Sequence, residues 1–144
     1  MITITEYVDT EADFIKSLRD ALNDPAVNVS NVRVATKRLP ETHRGSLNEV
    51  IVRSNGGVPI GGRIEESFTI TVWVYGDDES QSYIDAQNLT NKIKTAIGLS
   101  ISKSNTFRAV LSGPTSSPVE DEGLVQVRMI TTTLLYFGNV KRIR

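Results

Sequence analysis

Arg53 to Arg63 reads RSNGGVPIGGR, with four glycines and a proline in eleven residues between two runs rich in β-branched side chains. Glycines behind a strand can cradle a phosphate, so this is the first place to look for chemistry. A P-loop needs G-x-x-x-x-G-K-[ST] running into a helix, so that backbone amides wrap the phosphates, the lysine reaches the terminal ones and the hydroxyl holds Mg²⁺. Gly57 and Gly62 have that separation, but Arg63 stands at the lysine position and Ile64 at the hydroxyl position. The residues that follow alternate like a strand, which removes the helix N-terminus that would receive the anion. The segment therefore reads as the connection of a long hairpin, its glycines supplying positive φ or avoiding bulk.

The other reactive residues lack partners at chemical spacing. His43 is the single histidine and sits in a loop with no nucleophile elbow nearby. Glu120, Asp121 and Glu122 are adjacent, so they point in different directions and lack the spacing of a calcium loop. There is no cysteine, which excludes disulfides and thiolate metal sites. Arg33, Lys37, Arg38 and Arg44 form a basic stretch without the interleaved aromatics that stack on nucleic-acid bases. The expectation is a protein with no hydrolase activity, no cofactor and no tightly held metal.

Composition places the 144 residues in one domain, residues 1–144: 39% are hydrophobic and 23% charged, a globular balance. Area scaling buries about two-thirds of the surface of a chain this long, enough for a core without staples. The first residues, MITITEYVDTEADF, alternate and are acidic, unlike a signal peptide. No apolar run approaches the ~20 residues of a membrane helix. The net charge of −1 is unevenly spread. Asn31 to Arg63 holds six bases and two acids, Ile64 to Asn91 six acids and no base, and Lys92 to Val119 four bases and no acid. Such blocks are either the solvated faces of separate elements or the complementary sides of a self-association interface.

Periodicity supplies the elements that carry these charges. In DTEADFIKSLRDALNDP, Thr10 is placed to cap a helix whose Phe14, Ile15, Leu18, Ala21 and Leu22 share one face, and Asn23, Asp24 and Pro25 stop it. VNVSNVRVATKR alternates in two registers, which predicts a strand with a bulge at Ser30 or Asn31. Arg38 to Asn48 is a loop, and EVIVR resumes a strand. RIEESFTITVWVYG is the clearest strand, with Ile64, Phe68, Ile70, Val72 and Val74 on one face and Glu66 as the exception. Trp73 and Tyr75 break its polar face, so something besides water should cover that end. A second helix opens at Asp77 or Asp78, turns Tyr83, Ala86, Leu89, Thr90, Ile93 and Ile97 inward, and ends at Gly98. Strands TFRAVLS and LVQVRMITTTLLYFG flank the loop GPTSSPVEDEG. Residues 1–8 and the basic tail 139–144 are expected to be flexible. The fold class is α+β, order α-β-β-β-α-β-β: a single-layer mixed or antiparallel sheet of about five strands packed against two helices.

Taken together, the layout resembles the tail terminator proteins of long-tailed (siphovirus-type) bacteriophages, especially those infecting actinobacteria. The matching segments are TEADFIKSLRDAL, VRVATKRLPE, VIVRSNGG, FTITVWVYGDDESQSYIDAQNLTNKIKTAI and SGPTSSPVEDEGLVQVRMITTTLLYFG, in that order and over nearly the whole chain. The resemblance implies a non-enzymatic virion protein, assembled in the host cytoplasm. Six copies would form a ring on the last tail-tube ring, stop tube growth and offer a face to the head connector, with DNA passing through the lumen without sequence-specific binding. Neighbouring neck components, such as head–tail joining or head-closure proteins, share this layout, and a small cytoplasmic ligand-binding domain is the alternative outside the virion. On the ring reading, Lys37, Arg38, Arg44 or Arg63 of one subunit is expected to approach Asp77, Asp78 and Glu79, or Glu120, Asp121 and Glu122, of the next. Reversing Arg38 and Arg44 to Glu is then expected to impair assembly and spare the fold.

Overall fold

A computed structural model describes residues 2–6, 9–45, 47–119, 124–137 and 139–143. It has two helices on one side of a five-stranded mixed sheet. The elements are β1 (Ile2–Glu6), α1 (Thr10–Asn23), β2 (Val32–Ala35), a 3-10 turn (Glu41–His43), β3 (Asn48–Ile60), β4 (Arg63–Val74), α2 (Glu79–Lys103), β5 (Phe107–Pro118), β6 (Gln126–Phe137) and β7 (Asn139–Ile143). The sheet order is β2-β3-β4-β6-β5, antiparallel except for the parallel β2–β3 pair. The expected order α-β-β-β-α-β-β is present from α1 to β6.

The core follows from alternation in β4. Ile64, Phe68, Ile70, Val72 and Val74 are buried and face the helices, while Glu65, Ser67, Thr69, Thr71 and Trp73 alternate with them on the far side. α1 contributes Phe14, Leu18, Ala21 and Leu22 and covers the β2–β3 side, and α2 contributes Ala86, Leu89, Ile93, Ala96 and Ile97 and covers β4, β6 and β5. Phe14, Phe68, Phe107 and Tyr136 meet edge to face, with centroids 4.7–5.9 Å apart. That geometry sets the positive rim of one ring against the negative face of the next.

Several boundaries differ from expectation, each for a local reason. Asp9, rather than Thr10, caps α1, its Oδ1 accepting from the Ala12 amide at 3.0 Å. The bulge expected at Ser30 or Asn31 is instead a turn made by two left-handed asparagines, Asn28 (φ 53°) and Asn31 (φ 59°), so the strand starts only at Val32. α2 passes through Gly98 and ends at Ser104, whose Oγ accepts from the Thr106 and Phe107 amides and donates to Asp13 of α1. Tyr83 is half exposed rather than inward, because the buried stripe of α2 begins at Ser82 and runs on through Ala86 and Leu89. GPTSSP belongs to β5 rather than to a loop, since an edge strand tolerates proline. The two end segments, expected to be flexible, pair with each other: β1 runs antiparallel to β7, from Ile2 opposite Ile143 to Glu6 opposite Asn139.

The glycine segment is a hairpin, and its strands run on to the tip. Ile60 pairs with Arg63 across a two-residue turn in which Gly61 and Gly62 both have positive φ (56° and 87°). Such a turn matches the twist of the strands it joins, and only residues at ease with positive φ build it.

Candidate assembly surfaces

At the end of the sheet away from the glycine tip, the loop after β2 folds over the open face, the face turned away from the helices. Its Arg38 guanidinium lies 3.5 Å above the centre of the Trp73 ring. This is the cover that the break at Trp73 and Tyr75 called for. Beneath it Glu49 is fully buried. The Oε1 atom of Glu49 accepts from the Leu39 amide at 2.6 Å and faces Arg33 Nη1 at 3.4 Å. Its Oε2 accepts from the Tyr75 hydroxyl at 2.9 Å and faces Arg38 Nε at 3.7 Å. Arg38 Nη2 in turn donates to the Tyr75 oxygen at 2.6 Å. One carboxylate thus fixes two arginines, a tyrosine and a loop amide. Nothing in EVIVR marked Glu49, because its partners lie at positions 33, 38, 39 and 75; the exposed-face aromatics were the one local sign.

Burial raises the pKa of Tyr75 above its ordinary value of 10.0, with Arg38 opposing and Glu49 adding to the effect. The sign follows directly. A folded pKa above the unfolded one contributes stability that is present below pH 10 and is lost as pH rises through the folded value. At 295 nm, Tyr75→Phe should therefore leave unchanged the phenol absorbance that develops near pH 10 in the folded protein and remove only absorbance that develops at higher pH. A loss near pH 10 in that variant, with the fold intact, would contradict the desolvation of Tyr75.

Glu66, the exception on the buried face of β4, is held by hydroxyls. Oε2 accepts from Thr10 at 2.6 Å and Ser54 at 2.8 Å, and Oε1 from Tyr136 at 3.1 Å. Thr10 opens α1, so the carboxylate also lies at the positive end of that helix. Glu11 Oε2 accepts from the Ser54 amide at 2.7 Å. Together they tie the β3 irregularity at Ser54–Gly56 to the first turn of α1.

The charged residues expected at an interface divide into two groups. Arg38 is engaged inside the subunit, which corrects the expectation that its reversal would spare the fold. Arg63 is exposed but lies 3.5 Å from Glu65. Arg44 is exposed and directs Nε to the Leu39 carbonyl at 3.0 Å. Lys37 is exposed, and its own carbonyl accepts from Arg33. Asp77, Asp78 and Glu79 are exposed at the mouth of α2, and Asp78 caps the helix through the Ser80 and Gln81 amides. Glu120, Asp121 and Glu122 lie outside the described residues. Twelve-residue β4 separates Arg63 from Asp77 by about 37 Å, so a subunit's own tip cannot meet its own acidic mouth.

No protein-family model matches the chain, and no curated protein aligns with it significantly.

The sheet edges show how association could and could not occur. On β3, β2 covers only Asn48–Ile51. Beyond it, the tight turn orients the Ile60 peptide toward β4 and leaves Pro59, which has no amide to donate, facing outward. Glu11 occupies the Ser54 amide. On β5, register breaks recur between Phe107 and Thr115. These stretches of β3 and β5 carry devices that discourage pairing with another strand. The exposed large apolar side chains include Leu47, Leu111 and Leu124, and two further groups stand at opposite ends of the sheet. At the tip, Val58, Ile60 and Phe137 are 60%, 44% and 53% exposed. Their pairing with Glu65 and Arg63 places all three on the open face. At the other end, Tyr83 and Ile84, each 50% exposed, line an open cavity of about 450 Å³ with Glu79, Ser80 and Gln126. Among the described residues no group of His, Asp and Glu is placed to hold a metal ion, and no helix is long and apolar enough to cross a membrane.

Proposed function

We propose that the protein is a ring-forming structural subunit of a bacteriophage tail, of the tail-terminator type, acting by assembly rather than catalysis. The observation that carries this reading is the presence of two unlike surfaces at opposite ends of one sheet, an apolar hairpin tip and an acid-rimmed concavity. A subunit with two different complementary faces associates head to tail, and a head-to-tail contact closes into a ring when its rotation completes a circle. The element order from α1 to β6 and the near-full-length resemblance support the tail assignment. Buried Glu49 and Glu66 are spent on internal hydrogen bonds, which suits structural roles.

The reading is tested by tube growth. Tail-tube subunits polymerised in vitro are incubated with this protein and then supplied with fresh subunits. Capped tubes should stop elongating, whereas tubes that lengthen as fast as untreated ones would overturn the proposal. Binding to head-connector complexes without any effect on tubes would move the protein to a head-closure role.

A further inference from the structure

From the two surfaces described above, we infer that the hairpin tip of one copy, Val58, Ile60 and Phe137, seats in the cavity formed by Glu79, Tyr83, Ile84 and Gln126 of a second copy. Only the closure of this contact into a six-membered ring rests on the proposed function.

Three features select a second copy as the occupant. Contiguous exposed apolar surface marks a contact site, and here each subunit carries both a protruding and a concave patch. The tip bears Arg63, whose side chain keeps 48% exposure beside Glu65. Glu79 lines the cavity, and Asp77 and Asp78, which immediately precede it, are exposed as well. Opposite charge around an apolar centre fixes register and speeds encounter more than it tightens binding. Finally, the blunted stretches of β3 and β5 discourage strand addition there and favour side-chain docking. Tyr83 is the expected anchor. Its ring is positioned by Arg128, 5.3 Å from the ring centre, and half of it remains exposed. Aromatics that become buried on association carry most of the energy of many interfaces.

The absence of cysteine makes disulfide trapping clean, because introduced thiols are the only ones present. The double variant Ile60→Cys/Ile84→Cys, oxidised at high concentration or on tail tubes, should give a reducible ladder of cross-linked oligomers. Val58→Cys/Tyr83→Cys provides a second pair. Each single-cysteine variant should give no cross-linked species, and Phe137→Asp, at an exposed position, should weaken self-association at least tenfold without moving the melting temperature. Dimers from Ile60→Cys or Ile84→Cys alone would show a symmetric contact and overturn the inference. A ladder that does not close at six keeps this contact and removes the ring reading. A six-membered ring with neither pair cross-linking keeps the ring and removes this contact, and finding neither ladder nor ring removes both.

Discussion

Replacing Glu49 with alanine is expected to lower the free energy of unfolding by about 3–5 kcal/mol, the range for deleting one partner of a buried ion pair. Glu49 is fully buried, whereas the Arg33 and Arg38 side chains keep 31% and 23% exposure. The low end of that range is therefore expected, since water can partly replace the lost anion. The Leu39 amide and the Tyr75 hydroxyl lose their acceptor as well, and each buried unsatisfied donor costs about 1–3 kcal/mol. Glu49→Gln preserves shape and one acceptor oxygen and should cost less. Urea denaturation at neutral pH measures both variants, and a loss below about 1 kcal/mol for Glu49→Ala would show that the cluster is not structural. The same geometry changes the meaning of a charge reversal at Arg38. Arg38→Glu sets a second carboxylate against Glu49, so an assembly defect in that variant would report a damaged fold. Arg44→Glu and Arg63→Glu, at exposed positions, should stay within about 0.5 kcal/mol of the parent and are the informative reversals.

Phe68→Ala is expected to cost about 3–5 kcal/mol. Phe68 is fully buried at the middle of β4, with the Phe14 ring 4.7 Å and the Phe107 ring 5.7 Å away. These neighbours come from α1 and β5, elements that cannot both collapse into the space, so a cavity term adds to the lost burial. At about 2–4 °C per kcal/mol for a domain of this size, the melting temperature should fall by roughly 10 °C or more. A fall of less than about 4 °C would mean that the three-phenylalanine cluster does not organise the core.

The elements that local periodicity could reveal were legible. Phe14, Leu18 and Leu22 recur with the helical period and are buried, and the alternation of Ile64, Phe68, Ile70, Val72 and Val74 matches the covered face of β4. Glu66 stood out only as the exception to that alternation, because its hydroxyl partners at Thr10, Ser54 and Tyr136 are 12 to 70 residues away. Helix α2 outran its expected end because Gly98 is exposed with open space where a side chain would be, so it interrupts no packing, while Ser100 and Ile97 continue the buried stripe. The glycine segment was legible as a hairpin but not as two strands continuing to a two-residue turn. Its side chains carry little hydrophobic period, and the register is set by the tight turn at Gly61 and Gly62. The candidate surfaces were half legible. Charge blocks marked Arg63 and Asp77–Glu79, but the exposed Val58, Ile60, Phe137, Tyr83 and Ile84 are ordinary apolar residues until the fold leaves them uncovered.

If unlike ends of one subunit join copies into a ring that closes a tail tube, negative-stain imaging of the protein mixed with tail tubes will show it directly. A six-membered ring of density is expected on one end of each tube, lost with Phe137→Asp and with Tyr83→Asp. Bare tube ends at saturating protein, or rings that survive both substitutions unchanged, would contradict it.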